Sequence, residues 1–244
     1  MADTAHPPSV LGARRDLSTL TLAGVLLAVF LVLLVGAAAD RLWPSAPRTV
    51  ELISYLAAWV PLLGAVLWAG AGSGAGSRGL RFRPMDLLWG LAVGLLARLT
   101  ASLIEIAGYG QMGSAGATLG TVTPDAWWLF TALLAPVLFA PLIEELFFRG
   151  LLLAAVAGAA ARAGASPQAG LVTAALVSAS VFALVHIVQV GPGIVAIVAG
   201  ASTFVFGLGA AFLAAATGRI GGAVVAHVTF NALVVIPVVL AQLS

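Results

Sequence analysis

Hydrophobic residues in this chain fall into seven long runs, separated by short polar or glycine-rich segments. Each run reaches the roughly 20 residues that an α-helix needs to cross a bilayer. We predict spans over Leu17–Ala39, Val50–Gly70, Met85–Ala107, Ala126–Ala161, Pro167–Val188, Ile194–Thr217 and Ile220–Leu240. The pattern therefore predicts an all-α fold, a polytopic transmembrane helical bundle.

The fourth run is too long for one straight crossing, and Pro136 and Pro141 lie inside it. Proline removes a backbone donor and clashes with the preceding turn, so it kinks or breaks a helix. We therefore predict a kink here or a break into two helices, and a break would raise the number of spans from seven to eight.

Composition supports the membrane assignment and limits the partners. Of all residues, 61% are hydrophobic and 8% are charged, whereas a soluble domain carries about 25% charged residues. Membrane lipids are therefore expected partners. Every basic side chain is an arginine and no basic run is present, so we expect no nucleic-acid partner. The chain has no cysteine, which excludes disulfides, thiolate catalysis and cysteine metal sites.

The arginines between the spans are distributed unequally, and this bias predicts the orientation through the positive-inside rule. With the N-terminus in the cytoplasm, only Arg41 and Arg48 lie outside. The cytoplasmic side then contains Arg14, Arg15, Arg78, Arg81, Arg83, Arg162 and Arg219. The first run is long and lacks a clear cleavage site, so we interpret it as a retained span. The alanine-rich, lysine-free composition favours a bacterial inner membrane.

The fourth run contains the sequence APLIEELFFRG, which places three charged residues inside a span. Intramembrane charge costs about 2.5–3.5 kcal/mol per group, so it requires a partner or a function. Glu145 and Arg149 are four residues apart on one helix face, which predicts an intrahelical ion pair. Glu144 points about 100° away and has no partner in its own helix. Glu144 is therefore a candidate general base; the alternative is a structural ion-pair network between helices.

Two later spans carry polar side chains at a similar depth. His186 lies near the end of the fifth run, one turn after Phe182, and His227 and Asn231 share one face of the seventh. We expect these side chains to converge with Glu144 near the middle of the membrane. The structural alternatives are a satisfied core histidine and hydrogen bonds between helices.

We assign no catalytic role to the remaining candidate residues. Arg98 and Glu105 share one face of the third run, which predicts a structural ion pair. His6 lies in the polar N-terminal tail and receives no role.

Three motifs stand in chain order, each on its own predicted span. They are EExxxR at residues 144–149, FxxxH at residues 182–186 and HxxxN at residues 227–231. Together they resemble the CPBP family (CAAX proteases and bacteriocin-processing proteins, also called Abi), which includes the type II CAAX prenyl endopeptidases. The resemblance covers about residues 126–235, the predicted catalytic region. Residues 1–125 hold N-terminal spans of unknown role, and residues 236–244 complete the last span and tail.

The resemblance implies an intramembrane hydrolase, a peptidase with a water-accessible chamber enclosed by helices. It implies that Glu144 is the base that activates water, assisted by His186. It further implies that His227 and Asn231 orient or stabilise the oxyanion of the tetrahedral intermediate. Structural support would come from Glu145, Arg149 and Phe182.

The resemblance leaves metal dependence open, because the family is often labelled a metalloprotease family. Glu144, His186 and His227 would be the ligands if a Zn²⁺ were bound with an open coordination position. The chain lacks the H-E-x-x-H motif, and the same residues can work without a metal. We therefore favour no cofactor, with Zn²⁺ as the alternative.

The expected substrates are membrane-associated or lipidated peptides and proteins, such as bacteriocin leaders, pheromone precursors or anti-sigma factors. An ion-coupled transporter is one alternative, because intramembrane Glu, His and Arg also mark proton relays; the chain shows no internal repeat of the kind that transporters often contain. A non-catalytic membrane scaffold or immunity protein is another. A rhomboid-type serine peptidase is disfavoured, since the Gly/Ser tracts lie in predicted loops.

Overall fold

The computed structural model describes residues 17–42, 45–71, 81–113 and 124–243 of the chain. Within these residues every regular element is helical, and seven helices are long and apolar enough to cross a membrane. They are α1 (Leu17–Leu42), α2 (Pro47–Ala71), α3 (Pro84–Tyr109), α4 (Ala126–Arg162), α5 (Pro167–Val190), α6 (Ile194–Thr217) and α7 (Gly221–Leu243). The predicted helical bundle is confirmed; His6, Arg14, Arg15 and Arg78 lie outside the described residues.

The helix α4 runs through both of its prolines without a break. It does so by widening into a π-helical stretch at Phe130–Phe139, which contains Pro136 and ends just before Pro141. A second π-helical stretch follows at Leu146–Leu152. The N–H of Ala140, for example, bonds the carbonyl of Ala135, five residues back. A wider turn moves the preceding carbonyls away from each proline ring, which removes the usual cause of a break. Of the predicted alternatives of seven and eight spans, the described residues contain seven, with residues 126–162 as one continuous helix.

Small residues allow the helices to approach closely where the bundle is packed. α3 lies along α6 and α7, α5 lies along α6, and α1 lies along α2. At Gly94 of α3, a Cβ atom would lie 2.6 Å from the carbonyl oxygen of Ala226 on α7. Lipid supplies no hydrophobic force between helices, so such contacts between small residues provide much of the packing. Large apolar side chains such as Leu26, Leu96 and Leu184 face outward instead.

The helices alternate in direction, which groups the connections at two ends of the bundle. At the α1–α2 end, where α1 stops and α2 begins, Arg48 forms an ion pair with Asp125 in front of α4. At the α6–α7 end, Arg219 forms an ion pair with Asp86 at 2.7 Å, in the first turn of α3. A backbone hydrogen bond from Trp128 and the Arg48 side chain hold the pKa of Asp125 below its usual value.

Candidate active site

Glu144 and Glu145 are neighbours in the middle of α4, yet their side chains have different surroundings. The Glu145 side chain is fully buried, whereas that of Glu144 keeps 18% of its surface exposed. Glu144 lines a cavity of about 460 Å³ between the helices. Of the two carboxylates, Glu144 is therefore the one that water and substrate can reach.

Glu145 and Arg149 form the predicted intrahelical ion pair, with Nη1 of Arg149 donating to Oε1 of Glu145 at 2.9 Å. Nη2 of Arg149 also donates to the carbonyl of Gly207 on α6, at 3.2 Å. The guanidinium carbon lies 4.6 Å from the ring centre of Phe182 on α5. One arginine therefore joins α4 to two other helices that carry or support the motifs.

His227 of α7 lies between the two glutamates. Its Nδ1 is 2.9 Å from Oε1 of Glu145, and because a carboxylate only accepts, Nδ1 is the donor. Its Nε2 faces Oε2 of Glu144 at 3.8 Å, which is longer than a hydrogen bond. His227 is 3% exposed and is not among the residues that line the cavity. Glu145 thus fixes the ring, and the ring presents Nε2 to Glu144.

His186 of α5 lines the same cavity as Glu144. Its Nδ1 lies 2.8 Å from the carbonyl of Phe182, one turn earlier, so Nδ1 carries the proton. The Nε2 atom is then left with a lone pair that can accept a hydrogen bond from water. The ring centre of Phe182 is 4.3 Å from that of His186 and 5.6 Å from that of His227, so this buried phenylalanine packs against both histidines.

Asn231 lines the cavity and makes a hydrogen bond to α4 that the sequence did not predict. Its Nδ2 donates to the carbonyl of Pro136 at 2.7 Å. In the π register of this stretch, that carbonyl would accept from residue 141, which is also a proline and has no N–H. Asn231 satisfies the orphaned carbonyl, and the second N–H of its amide is left for another acceptor. Two prolines five residues apart were the sequence signal for this contact.

The structure brings the predicted site residues together. Glu144, His186 and Asn231 line one cavity. His227 does not line it, and its Nε2 lies 3.8 Å from Oε2 of Glu144. Their catalytic roles stay predictions. In the described part of the chain, no group of three or more His, Asp or Glu side chains is arranged to hold a metal ion. The alternative Zn²⁺ set of Glu144, His186 and His227 therefore also stays a prediction.

Two further observations concern residues outside the motifs. The predicted ion pair between Arg98 and Glu105 is confirmed, and it lies on α3, away from the cavity.

Sequence reasoning missed the contribution of the first two helices, which supply much of the cavity wall. These residues are Val25, Ala28, Val29, Val32, Val50, Glu51, Ser54, Tyr55, Ala58, Trp59 and Leu62. Apolar residues in a membrane span give no sign of whether they face lipid or a cavity.

Comparison with known families identifies the part of the chain that builds this site. Residues 126–233 match the family model described as Type II CAAX prenyl endopeptidase Rce1-like. Neither the curated proteins nor the solved structures that were searched contain a match. The matched segment starts at the first residue of α4 and includes all three motifs. The resemblance is thus confirmed: residues 126–233 of this integral membrane protein match the model of the Rce1-like family, a family of CAAX-type proteases.

Proposed function

We propose that this protein is an intramembrane endopeptidase that hydrolyses membrane-associated or lipidated peptides with water activated at Glu144. One observation carries the proposal: Glu144, His186 and Asn231 line a single cavity inside a bundle of membrane-spanning helices. A general base, a second water contact and a donor for an oxyanion are the groups that amide hydrolysis requires.

The buried charges around Glu144 must balance, because an uncompensated charge in a low-dielectric interior is costly. Glu145 and Arg149 neutralise each other. Neutrality of the remaining pair then requires that either Glu144 or Nε2 of His227 holds one proton. When His227 holds this proton, Glu144 is a carboxylate and can act as a base. This arrangement supplies the base without a net buried charge.

Hydrolysis can then be written from the positions of these side chains. A water between Glu144 and Nε2 of His186 gives one proton to Glu144, and its oxygen attacks the carbonyl carbon of the scissile bond. The free N–H of Asn231 donates to the oxyanion that forms. As the C–N bond breaks, the proton passes from Glu144 to the leaving amine. The carboxylate is thereby regenerated.

Quantitative N-terminal proteomics on membranes tests this proposal with the variant Glu144→Gln. The substitution keeps the shape of the side chain but removes the base, so we expect the new N-termini formed by the wild type to disappear. The matched control is Glu105→Gln, which also neutralises a buried carboxylate within a span, on α3 and away from the cavity. We expect this control to keep hydrolysis per folded molecule, even if its abundance falls.

The same comparison separates the peptidase from its alternatives. Identical sets of N-termini from wild type and Glu144→Gln, at matched abundance, would contradict the proposal and favour a scaffold or a transporter. Loss of the products in Glu105→Gln as well, per folded molecule, would mean that any buried carboxylate is needed and that Glu144 has no special role.

A further inference from the structure

A smaller cavity lies beside the one that Glu144 lines. Its volume is about 270 Å³, and it lies between the first turns of α2 and the first turns of α4. The two cavities share Glu51 and Tyr55 in their walls. The proposed hydrolysis uses no residue of the smaller cavity, so the chemistry of its lining must indicate what binds there.

The charges at the smaller cavity do not balance. Arg48 forms an ion pair with Asp125, the residue before α4, so these two charges cancel. Glu51 accepts a hydrogen bond from Nε1 of Trp127 at 2.7 Å, but no described residue forms an ion pair with it. The indole N–H is neutral and leaves the charge of the carboxylate uncompensated. The site therefore keeps a net charge of about −1, which favours a cationic ligand.

Aromatic rings surround this carboxylate. Tyr55, Trp127 and Trp128 line the smaller cavity together with Glu51. The faces of tyrosine and tryptophan rings attract an ammonium or guanidinium group, and a carboxylate adds a charge-assisted hydrogen bond to the same group. Lysine and arginine also have an apolar stem that packs against such rings. The lining therefore favours an alkylammonium or guanidinium group over a simple inorganic cation.

Trp128 provides a second, independent indication of a ligand. Its side chain is almost completely buried, and in the part of the chain that the structure describes its Nε1 has no hydrogen-bond partner. A buried N–H without an acceptor is costly, and buried tryptophans usually have one. A peptide segment supplies backbone carbonyls as acceptors. A basic residue within a peptide therefore offers both a cation for Glu51 and an acceptor for Trp128.

The smaller cavity lies within reach of a peptide bound at Glu144. The hydroxyl of Tyr55 donates to the carbonyl of Thr131 at 2.9 Å, and both residues line the smaller cavity. Thr131 precedes Glu144 by 13 residues on α4, which corresponds to about 20 Å at 1.5 Å per residue. An extended peptide covers about 3.3–3.6 Å per residue, so about six residues span this distance.

We propose that the smaller cavity is a substrate subsite that binds a lysine or arginine side chain about five or six residues from the scissile bond. Glu51 is its specificity-determining residue. The substrate part of this inference rests on the proposed peptidase function, whereas the binding of a cation at Glu51 does not. The ammonium group of a phosphatidylethanolamine headgroup carries the same chemistry, so the experiment must distinguish the two sources.

Cation binding is measurable without hydrolysis by ¹⁹F NMR on protein labelled with 5-fluorotryptophan. The chain has six tryptophans, and the variants Trp127→Phe and Trp128→Phe assign the two resonances of interest. The protein is held in dodecyl maltoside, an uncharged detergent, and titrated with hexylammonium or with hexanol, which lacks the charge. We expect hexylammonium to shift both resonances saturably and hexanol to leave them in place. In Glu51→Gln the affinity for hexylammonium should fall about tenfold.

Glu105→Gln is the matched control for this titration, because it neutralises a carboxylate on α3 that lines neither cavity. We expect it to respond as the wild type does. Equal responses of wild type and Glu51→Gln, or equal shifts with hexylammonium and hexanol in the wild type, would overturn the cation site. Phosphatidylethanolamine that produces the same shifts and blocks hexylammonium would overturn the substrate as the source of the cation.

Sequences around the cleavage sites test the substrate part. In N-terminal proteomics we expect lysine or arginine to be enriched five or six residues from the bonds that the wild type cleaves. Glu51→Gln should still cleave but lose this enrichment, and Glu51→Lys should favour aspartate or glutamate at the same positions. Identical profiles for all three would overturn the subsite while leaving the peptidase intact. A failed Glu144→Gln experiment would instead remove the peptidase and the substrate part, without changing the NMR result.

Discussion

At the scale of single residues, the site depends on one oxygen atom that serves two partners. Oε1 of Glu145 accepts from Arg149 and from His227, both at 2.9 Å. The carboxylate therefore compensates a buried cation and orients a histidine at once. Removal of either partner leaves a buried group without its hydrogen bond, which costs more than the pair itself contributes.

Replacement of the cation, Arg149→Ala, should destabilise the protein as well as inactivate it. It leaves the buried Glu145 carboxylate without its cation and with the N–H of His227 as its remaining hydrogen-bond donor, for which we expect a loss of about 3–5 kcal/mol in the free energy of unfolding. Thermal unfolding in detergent and abundance in membranes measure the effect.

The double variant Glu145→Gln/Arg149→Met supplies the control for that experiment. It removes both charges together, so we expect it to regain much of the stability lost in Arg149→Ala. Hydrolysis should stay absent, because His227 no longer has a carboxylate to orient its ring. A wild-type unfolding midpoint for Arg149→Ala would contradict the bracing role.

At the scale of elements, the π register of α4 links the backbone to the chemistry. Because Pro141 has no N–H, the carbonyl of Pro136 has no donor within α4. The side-chain amide of Asn231 on α7 donates to this carbonyl instead. Stretches of π-helix often occur at functional sites, because the altered register frees a backbone group for another contact. The helix irregularity thus positions the amide that we propose for the oxyanion.

Restoring an N–H at position 141 should release Asn231. In Pro141→Ala the new N–H can bond the Pro136 carbonyl and compete with the asparagine. We expect turnover to fall, toward the 10²–10³-fold loss that is typical for removal of one oxyanion donor, with little change in abundance. Kinetics on a substrate identified by proteomics provides the measurement.

Pro237→Ala is the matched control, since Pro237 is an exposed proline inside α7 and does not line the cavity. We expect it to retain wild-type turnover. Full activity of Pro141→Ala would show that the Pro136 carbonyl does not position the amide.

The contact between α3 and α7 should tolerate no added methyl group at its centre. In Gly94→Ala the new Cβ would lie 2.6 Å from the carbonyl oxygen of Ala226, a backbone atom next to His227. We expect a lower unfolding midpoint and reduced hydrolysis. Gly64→Ala on α2 is the control, with no atom within 4 Å of its Cβ; there we expect a gain of about 0.5–1 kcal/mol from helix propensity. Equal midpoints for the two variants would contradict the close packing of α3 on α7.

At the scale of the whole molecule, the helices enclose the chamber in which we place the chemistry. In the metal-free form of the proposed mechanism, Glu144, Glu145, Arg149 and His227 balance to zero net charge when either Glu144 or His227 holds one proton. This balance is the physical reason for which we propose the metal-free form.

The metal-free mechanism predicts that chelation leaves the enzyme active. Purified protein that has been incubated with a strong chelator and dialysed should retain its turnover on an identified substrate. A thermolysin-type zinc peptidase treated in parallel confirms that the chelation was effective. Loss of activity that Zn²⁺ restores would replace the proposed mechanism with the Zn²⁺ alternative.

The sequence by itself determined the features that depend on neighbouring residues and on the solvent. Seven spans were predictable because a bilayer demands about 20 consecutive apolar residues for each crossing. The Glu145–Arg149 pair was predictable because residues four apart share a helix face. The depth of the polar side chains followed from the helical rise, which is also local.

Only the tertiary structure decided which polar atoms meet and which helices enclose the cavity. The contact between His227 and Glu145 joins residues 82 positions apart, and that between Asn231 and Pro136 joins residues 95 apart. Such contacts depend on the rotation of each helix and on the π register of α4. The apolar pattern does not encode either, because an apolar side chain can face lipid or the protein interior equally well. For the same reason, the wall that α1 and α2 give to the chamber emerged only from the packed bundle.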